Sequence, residues 1–205
     1  MILTQAQIKI AESLNRFRVI CCGRRGGKTT LAIEEIKGKA LGEPRRIAYI
    51  APTYQQARDI AWEMLKKELC PIIIQANESR LEIRVKTLKQ GESLIILRGW
   101  ESIETLRGQA FDFIVIDEVA MMRNFWVNWQ EVIRPTLTDT KGEVMFISTP
   151  KGFNHFYDLY NLELEDKDFK SFHFTSYDNP YIPIEELETA KKQMTDDRFA
   201  QEYMA

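Results

Sequence analysis

The sequence predicts an α/β fold built on a mainly parallel sheet flanked by helices. Apolar, β-branched runs alternate with stretches of helical period along most of the chain. A glycine-rich segment joins the first such run to the first helical stretch, and several of the runs end in polar residues suited to a ligand crevice. In chain order, strands are read at Phe17–Cys22, Arg46–Ala51, Ser93–Leu97, Phe111–Asp117, Glu143–Ser148 and Ser171–Thr175. Helices fall between them at Lys28–Ala40, Tyr54–Leu69, Phe125–Arg134, Gly152–Leu162 and Ile184–Met194. Residues Ile72–Ile74 and Leu81–Val85, separated by the polar stretch Gln75-Ala76-Asn77-Glu78-Ser79-Arg80, read as two short strands inserted beside the main sheet.

Length and composition bound the alternatives. The chain has 205 residues, 44% of them hydrophobic, enough for one core or one core with a small appendage. It carries no apolar run long enough to span a bilayer and no basic–apolar leader, so neither secretion nor membrane insertion is expected. Cys21, Cys22 and Cys70 cannot all pair within the chain, and the adjacent pair lies in an apolar run where thiols act as small hydrophobes. A reduced, cytosolic compartment is expected. The formal net charge of −2 gives no sign of nucleic acid, so any DNA contact falls to a local basic patch.

The segment Cys22-Gly23-Arg24-Arg25-Gly26-Gly27-Lys28-Thr29-Thr30 has the strand-before, helix-after setting of a phosphate-binding P-loop. Glycines let backbone N–H groups turn toward phosphate oxygens, and the helix N-terminus adds positive potential. Lys28 is then the cation for the β- and γ-phosphates, and the Thr29 hydroxyl is a ligand for Mg²⁺. Counting back from Gly27-Lys28, Cys22 occupies the place of the usual first glycine, so the loop is a deviant Walker A motif.

The strand Phe111–Asp117 ends in the adjacent carboxylates Asp117 and Glu118, at the edge where parallel sheets bind ligands. Asp117 is the expected Mg²⁺ residue and Glu118 the group that polarises the attacking water. The strand-like segment Arg46–Ala51 between the two motifs, together with Glu118, points to the RecA-like, additional-strand branch of P-loop NTPases. Met145-Phe146-Ile147-Ser148-Thr149-Pro150 places two further hydroxyls at that edge. Ser148 and Thr149 either sense the γ-phosphate and couple it to movement or cap the helix at Gly152.

These motifs together resemble the large subunit of tailed-phage terminases, the motors that package DNA, over nearly the whole chain. Leu3-Thr4-Gln5-Ala6-Gln7 before Arg16-Phe17-Arg18-Val19 is similar to the family's adenine-sensing Q motif, with Gln7 the better match and Gln5 standing where a proline is expected. Gly23–Thr29 resembles its Walker A, Ile50-Ala51-Pro52-Thr53-Tyr54-Gln55-Gln56-Ala57 the segment after the second strand, and Ser148-Thr149-Pro150 the coupling motif. The resemblance implies an ATPase core over residues 1–150, with 151–205 forming the end of the core and a small lid subdomain. It also implies ATP and Mg²⁺ as cofactors and double-stranded DNA as the translocated partner. A homo-oligomeric ring on the phage portal, a small terminase subunit, and a host cytoplasm setting with transient docking on the procapsid complete that expectation. An arginine within the loop, Arg24 or its neighbour Arg25, is implied to act within its own subunit, and Arg107 to reach a neighbour's ATP. The family's C-terminal nuclease domain is not expected here: the acidic residues Glu163, Glu165, Asp166 and Asp168 read as a solvated stretch. The unfinished helical period at Gln201-Glu202-Tyr203-Met204-Ala205 predicts a longer parent chain.

The runner-up is the first RecA-like domain of a superfamily 2 DNA helicase, whose early motifs fall in the same order; a nucleotide-dependent scaffold without turnover is disfavoured by Glu118. His155 and His173 lack partners at metal-ligand spacing. Trp126 and Trp129 read as the packed face of a helix, and Lys66-Lys67 and Lys191-Lys192 as solvated surface. Arg80, Arg84 and Lys86 alternate, which predicts one basic face on the second inserted strand.

Overall fold

The computed structural model describes residues 3–205. Eight strands form one sheet: β1 (Phe17–Cys22), β2 (Arg46–Ala51), β3 (Ile73–Asn77), β4 (Glu82–Lys86), β5 (Glu92–Gly99), β6 (Phe113–Asp117), β7 (Glu143–Ser148) and β8 (Phe169–Phe174). Their order is β3-β4-β5-β2-β6-β7-β1-β8. From β5 to β8 every neighbouring pair is parallel, while β3 and β4 add an antiparallel edge. The two short strands therefore extend the main sheet instead of standing beside it. The register of β4 with β5 leaves Ile83 and Val85 buried, which draws the hairpin into the common core.

The additional-strand architecture is present, but the strand responsible is β7. It lies between the P-loop strand β1 and the carboxylate strand β6, whereas β2 sits on the far side of β6. Sequence order and spatial order differ because a parallel strand may be laid on either side of the one before it.

Helices cover both faces. On one lie α1 (Gln5–Ala11), α2 (Lys28–Gly42) and α3 (54–69), where Ile10, Leu31, Ile33, Ile36, Trp62 and Leu65 meet the residues of one strand parity. On the other lie the 3₁₀ segment Trp100–Leu106, α4 (125–136) and α5 (His155–Asn161). Phe125, Trp129, Phe156 and Leu159 pack there against Ile114, Ile116, Val144 and Phe146. β6 divides its side chains cleanly: Phe113 and Val115 face the α2 layer, Ile114 and Ile116 the opposite one. Fully burying each such side chain stabilises the fold by about 1.5–3 kcal/mol, so a strand apolar on both faces has no alternative placement at the surface.

Helices α3 and α4 each contain a π turn, Arg58–Trp62 in α3 and Trp129–Ile133 in α4. In each, a tryptophan at an end of the turn is swung into the core. Trp129 sits 5.6 Å from Phe17 and 5.1 Å from Phe146, both edge-on, and Trp126 packs partly buried against the same cluster. The basic face expected on β4 is mixed. Glu82 shares the parity of Arg84 and Lys86, and Arg84 approaches Glu92 at 3.7 Å. Helix α5 begins at His155 and not at Gly152; its N-cap is Asn154, whose side chain accepts the Phe156 amide. The Ser148 and Thr149 hydroxyls are thus not its cap.

After β8 the chain runs through a 3₁₀ turn at Ser176–Asp178 into α6 (Ile184–Gln193) and α7 (Asp196–Phe199), the latter prolonged by a π turn at Ala200–Met204. This return brings the end of the chain back to the loop after β1.

Candidate nucleotide site

Lys28, Asp117, Glu118, Ser148 and Thr149 converge because β1, β6 and β7 are parallel and adjacent, so their C-terminal ends lie along one edge. The loop after β1 is tightly wound. Gly27 has φ of 84°, a left-handed conformation natural to glycine, and opens α2. A Cβ added at Gly26 would collide with Cys22 Sγ, and one at Gly23 would lie 2.7 Å from Ser176 Oγ. Cys22 therefore fills the space that a loop with glycine at that place leaves open. Burial pushes its thiol up to about 11, with Lys28 pulling the other way, so it packs as a neutral hydrophobe. We expect Gly26→Ala to destabilise the fold by about 1–3 kcal/mol, the usual range for overpacking. Cys22→Ala in the same chain should restore the melting temperature; a Gly26→Ala protein as stable as wild type would remove this account.

Lys28 is held over the loop after β1 by three acceptors. Its Nζ donates to the Cys22 carbonyl at 3.1 Å, the Gly23 carbonyl at 3.4 Å and Thr149 Oγ1 at 2.7 Å. Thr29 and Thr30 follow in the first turn of α2, half-buried. Gln7 is buried and reaches the same loop: its Nε2 donates to the Gly27 carbonyl at 2.9 Å, while its Oε1 accepts the Thr4 amide at 2.8 Å. Gln5 is exposed. Of the two glutamines, Gln7 is the one in contact with the loop.

Asp117 closes β6 and is 3% exposed. Burial pushes its carboxyl up to about 6; the Tyr49 hydroxyl lowers it, the Glu118 charge raises it and Lys28 lowers it. The Tyr49 hydroxyl donates to Asp117 Oδ2 at 2.5 Å, and Oδ1 accepts the Glu118 amide at 2.9 Å. Glu118 itself stands in a left-handed conformation, φ 54°, which for a non-glycine residue is strained and turns its side chain out of the strand's alternation. Ser148 is fully buried beside it. Its Oγ lies 3.5 Å from Glu118 Oε2 and accepts the Ala120 amide at 3.1 Å. Thr149 thus accepts directly from the lysine, while Ser148 lies beside the carboxylate with its own hydroxyl donating to the Thr149 carbonyl at 2.9 Å.

The arginines are placed differently. Arg24 is largely exposed and its Nε is ion-paired with Glu202. The backbone around it is gripped by the last segment of the chain: the Arg24 amide donates to the Glu202 carbonyl at 2.6 Å, Ser176 Oγ to the Arg24 carbonyl at 2.7 Å, and Asn179 Nδ2 to the Arg25 carbonyl at 2.6 Å. Arg25 is exposed at φ 56°. Arg107 follows the 3₁₀ segment Trp100–Leu106 and precedes β6. It is held by Glu104 at 2.8 and 3.1 Å and by the Glu131 carbonyl at 3.1 Å. His155 bonds the Val119 carbonyl at 2.7 Å and stacks on Phe125, and His173 meets the Ala205 carbonyl.

Residues 19–205 match the protein family described as terminase large subunit, T4likevirus-type, N-terminal. The chain belongs to the terminase large-subunit family. A terminase large subunit of Escherichia phage T5 is 29% identical over 205 residues, and the match takes in 97% of this chain and 46% of that protein. The chain thus spans less than half the length of that curated relative. The solved ATPase domain of the Thermus phage P74-26 large terminase superposes with a TM-score of 0.83 at 28% identity, covering 98% of this chain and 92% of that one. The large terminase of another thermophilic bacteriophage, solved in complex with ATP-gamma-S, shares the fold at a TM-score of 0.80 and 18% identity, covering 98% of this chain and 52% of its own. A superfamily 2 helicase is accordingly not the favoured reading, since the matching family and these similar structures are terminases.

For this terminase domain, the side chains that sequence reasoning missed are Tyr49 and the trio Ser176, Asn179 and Glu202. Tyr49 left a signal: a phenol inside the apolar run Ile47-Ala48-Tyr49-Ile50 needs a buried partner. The trio left none, because each lies more than 150 residues from the loop it grips.

Proposed function

We propose that this chain is the ATP-hydrolysing motor domain of a phage terminase, driving double-stranded DNA into the procapsid. The observation that carries the reading is that Lys28 and Glu118 meet at one hydroxyl pair: Thr149 accepts from the Lys28 ammonium at 2.7 Å, and Ser148 Oγ lies 3.5 Å from the Glu118 carboxylate. Nucleotide complexes of a protein with the same fold lend support.

In this reading the Gly23–Gly27 backbone and the start of α2 cradle the phosphates, Lys28 neutralises the β- and γ-oxygens, and Gln7 monitors the adenine side of the loop. Glu118 orients a water for in-line attack on the γ-phosphorus and takes up its proton as the bond to the ADP oxygen breaks. Thr29 and Asp117 fit Mg²⁺: both offer oxygen, the donor this ion selects, and a buried carboxylate gains from a nearby cation. Among the described residues no cluster of acidic, histidine or cysteine ligands forms a complete cage. Mg²⁺ characteristically binds through one or two carboxylates, waters and the nucleotide phosphates. When bound, it would neutralise charge developing between the β- and γ-phosphates.

A phosphate arriving at Lys28 competes with Thr149 for the same ammonium, which gives β7 a way to register nucleotide. Residues 175–205, which grip Arg24 and Arg25, are then the lid that moves in response. The full assembly in this proposal is a homo-oligomeric ring on the portal, loaded by a small terminase subunit in the host cytoplasm. Arg24 serves as the within-subunit arginine once released from Glu202.

Phosphate release with and without double-stranded DNA tests the proposal, and no Mg²⁺-dependent hydrolysis under either condition would overturn it. Replacing Ser148 and Thr149 together with alanine should reduce DNA-stimulated turnover by at least about tenfold, as expected for loss of an element that gates a catalytic step, while nucleotide affinity changes little. Loss of affinity and of fold together would assign the pair a purely structural role.

A further inference from the structure

Tyr49 is fully buried in β2, and a buried phenol keeps its O–H only with a partner. The sheet register supplies one. Tyr49 is level with Val115 on β6, so Asp117 lies two residues further along the same face. The ring spans that offset and its hydroxyl donates to Asp117 Oδ2 at 2.5 Å. The other oxygen, Oδ1, accepts the Glu118 amide at 2.9 Å. Each carboxylate oxygen is thus met by its own donor, one from the neighbouring strand and one from the turn that follows, and the plane of the carboxylate is fixed by the pair. A phenylalanine at this place would fill the same volume and leave that plane held from one side only.

We propose that Tyr49 is a positioning residue for nucleotide-bound Mg²⁺, acting by orienting the Asp117 carboxylate. The proposal rests on the reading of Asp117 as the magnesium residue. Tyr49 is fully buried and acts through Asp117, so its removal leaves metal-free nucleotide binding intact and weakens only the part that magnesium adds. Groups that orient a metal-binding side chain in this way typically contribute about 10–100-fold in metal affinity.

The test is an equilibrium titration without turnover, using a fluorescent ADP analogue. Dissociation constants are measured in EDTA and across a range of Mg²⁺ concentrations for wild type, Tyr49→Phe, Asp117→Asn and the double variant. The expected result is unchanged affinity in EDTA, a magnesium midpoint raised by about tenfold or more in Tyr49→Phe, and no further change when Tyr49→Phe is added to Asp117→Asn. A Tyr49→Phe midpoint within about twofold of wild type, or an effect that persists in the Asp117→Asn background, would overturn the proposal and leave Tyr49 as a packed core residue. Wild-type protein that binds the analogue with no magnesium response would instead remove the underlying reading of Asp117. Should Tyr49→Phe prove too unstable to titrate, Tyr49→His keeps a ring N–H donor while Tyr49→Leu does not. Partial recovery of the magnesium response in the first alone supports positioning, and a magnesium midpoint within about twofold of wild type in Tyr49→Leu, which has no donor, overturns it.

Discussion

Lys28→Ala should abolish ATP turnover, and Glu118→Gln should keep nucleotide binding while hydrolysis falls by about 10²–10⁴-fold, the usual contribution of a positioned general base. The two residues separate because they sit on different strands' ends and meet different atoms. Lys28 is held by the loop carbonyls and Thr149, so its loss removes positive charge from the place where the proposed function puts the phosphates. Glu118 stands beside Ser148 after a left-handed turn, and a glutamine keeps the shape and the hydrogen bonds while losing the basic oxygen. Binding of labelled nucleotide and single-turnover phosphate release, measured on the same preparations, check this. If Glu118→Gln hydrolysed ATP within about tenfold of wild type, below the range a general base contributes, the base would have to be sought elsewhere. Asp117 is a poor substitute, since both its oxygens are already engaged by Tyr49 and the Glu118 amide.

Much of this site could be read from the sequence because parallel strands put their ends together whatever their order in the chain. The glycines before Lys28, the paired carboxylates after β6 and the hydroxyls after β7 are local patterns, and the sheet converts them into neighbours. The strands themselves were legible for the same reason: Val19, Ile47, Ile114 and Phe146 lie in runs apolar enough that only burial on both faces suits them. Two kinds of feature were not. Helix α1 carries a capping box, Thr4 with Gln7, that marks its start, but the same residues also match a nucleotide motif, which states nothing about a helix. The π turns and the grip of Ser176, Asn179 and Glu202 on the P-loop had no local signature, since each depends on tertiary packing that sets one segment against a distant one. The wedge strand shows the limit most clearly. The order Lys28, Arg46–Ala51, Asp117 predicts an additional strand, and it is present, but as Glu143–Ser148, because nothing in a strand's own residues states on which side of its neighbour it is laid.

Arg107 is expected to act across a subunit boundary, so that Arg107→Ala lowers the turnover of the assembled protein by about 10³–10⁵-fold, the contribution of an arginine finger to phosphoryl transfer. Two features favour this over action within its own chain. Arg107 lies between the 3₁₀ segment after β5 and the start of β6, and its bonds go to Glu104 and the Glu131 carbonyl instead of to the loop after β1 or the carboxylates after β6. It is also displayed outward: its side chain is 52% exposed, braced by Glu104 from below and by the Glu131 carbonyl, and so presented with little left to order. An exposed pair of this kind contributes little to stability, so Arg107→Ala should leave the melting temperature nearly unchanged. The decisive measurement is mixing. Arg107→Ala protein has an intact Lys28, and Lys28→Ala protein has an intact Arg107; neither should turn over ATP alone, and a mixture should recover activity at the interfaces where the second lends its arginine to the first. Monomeric wild type should be a weak ATPase that accelerates as concentration drives assembly. Mixtures that stay inactive, under conditions where wild-type subunits assemble and accelerate, would take Arg107 out of the site. Arg24 would then be the arginine to pursue, and Glu202→Gln, which frees it from its ion pair, the next variant to make.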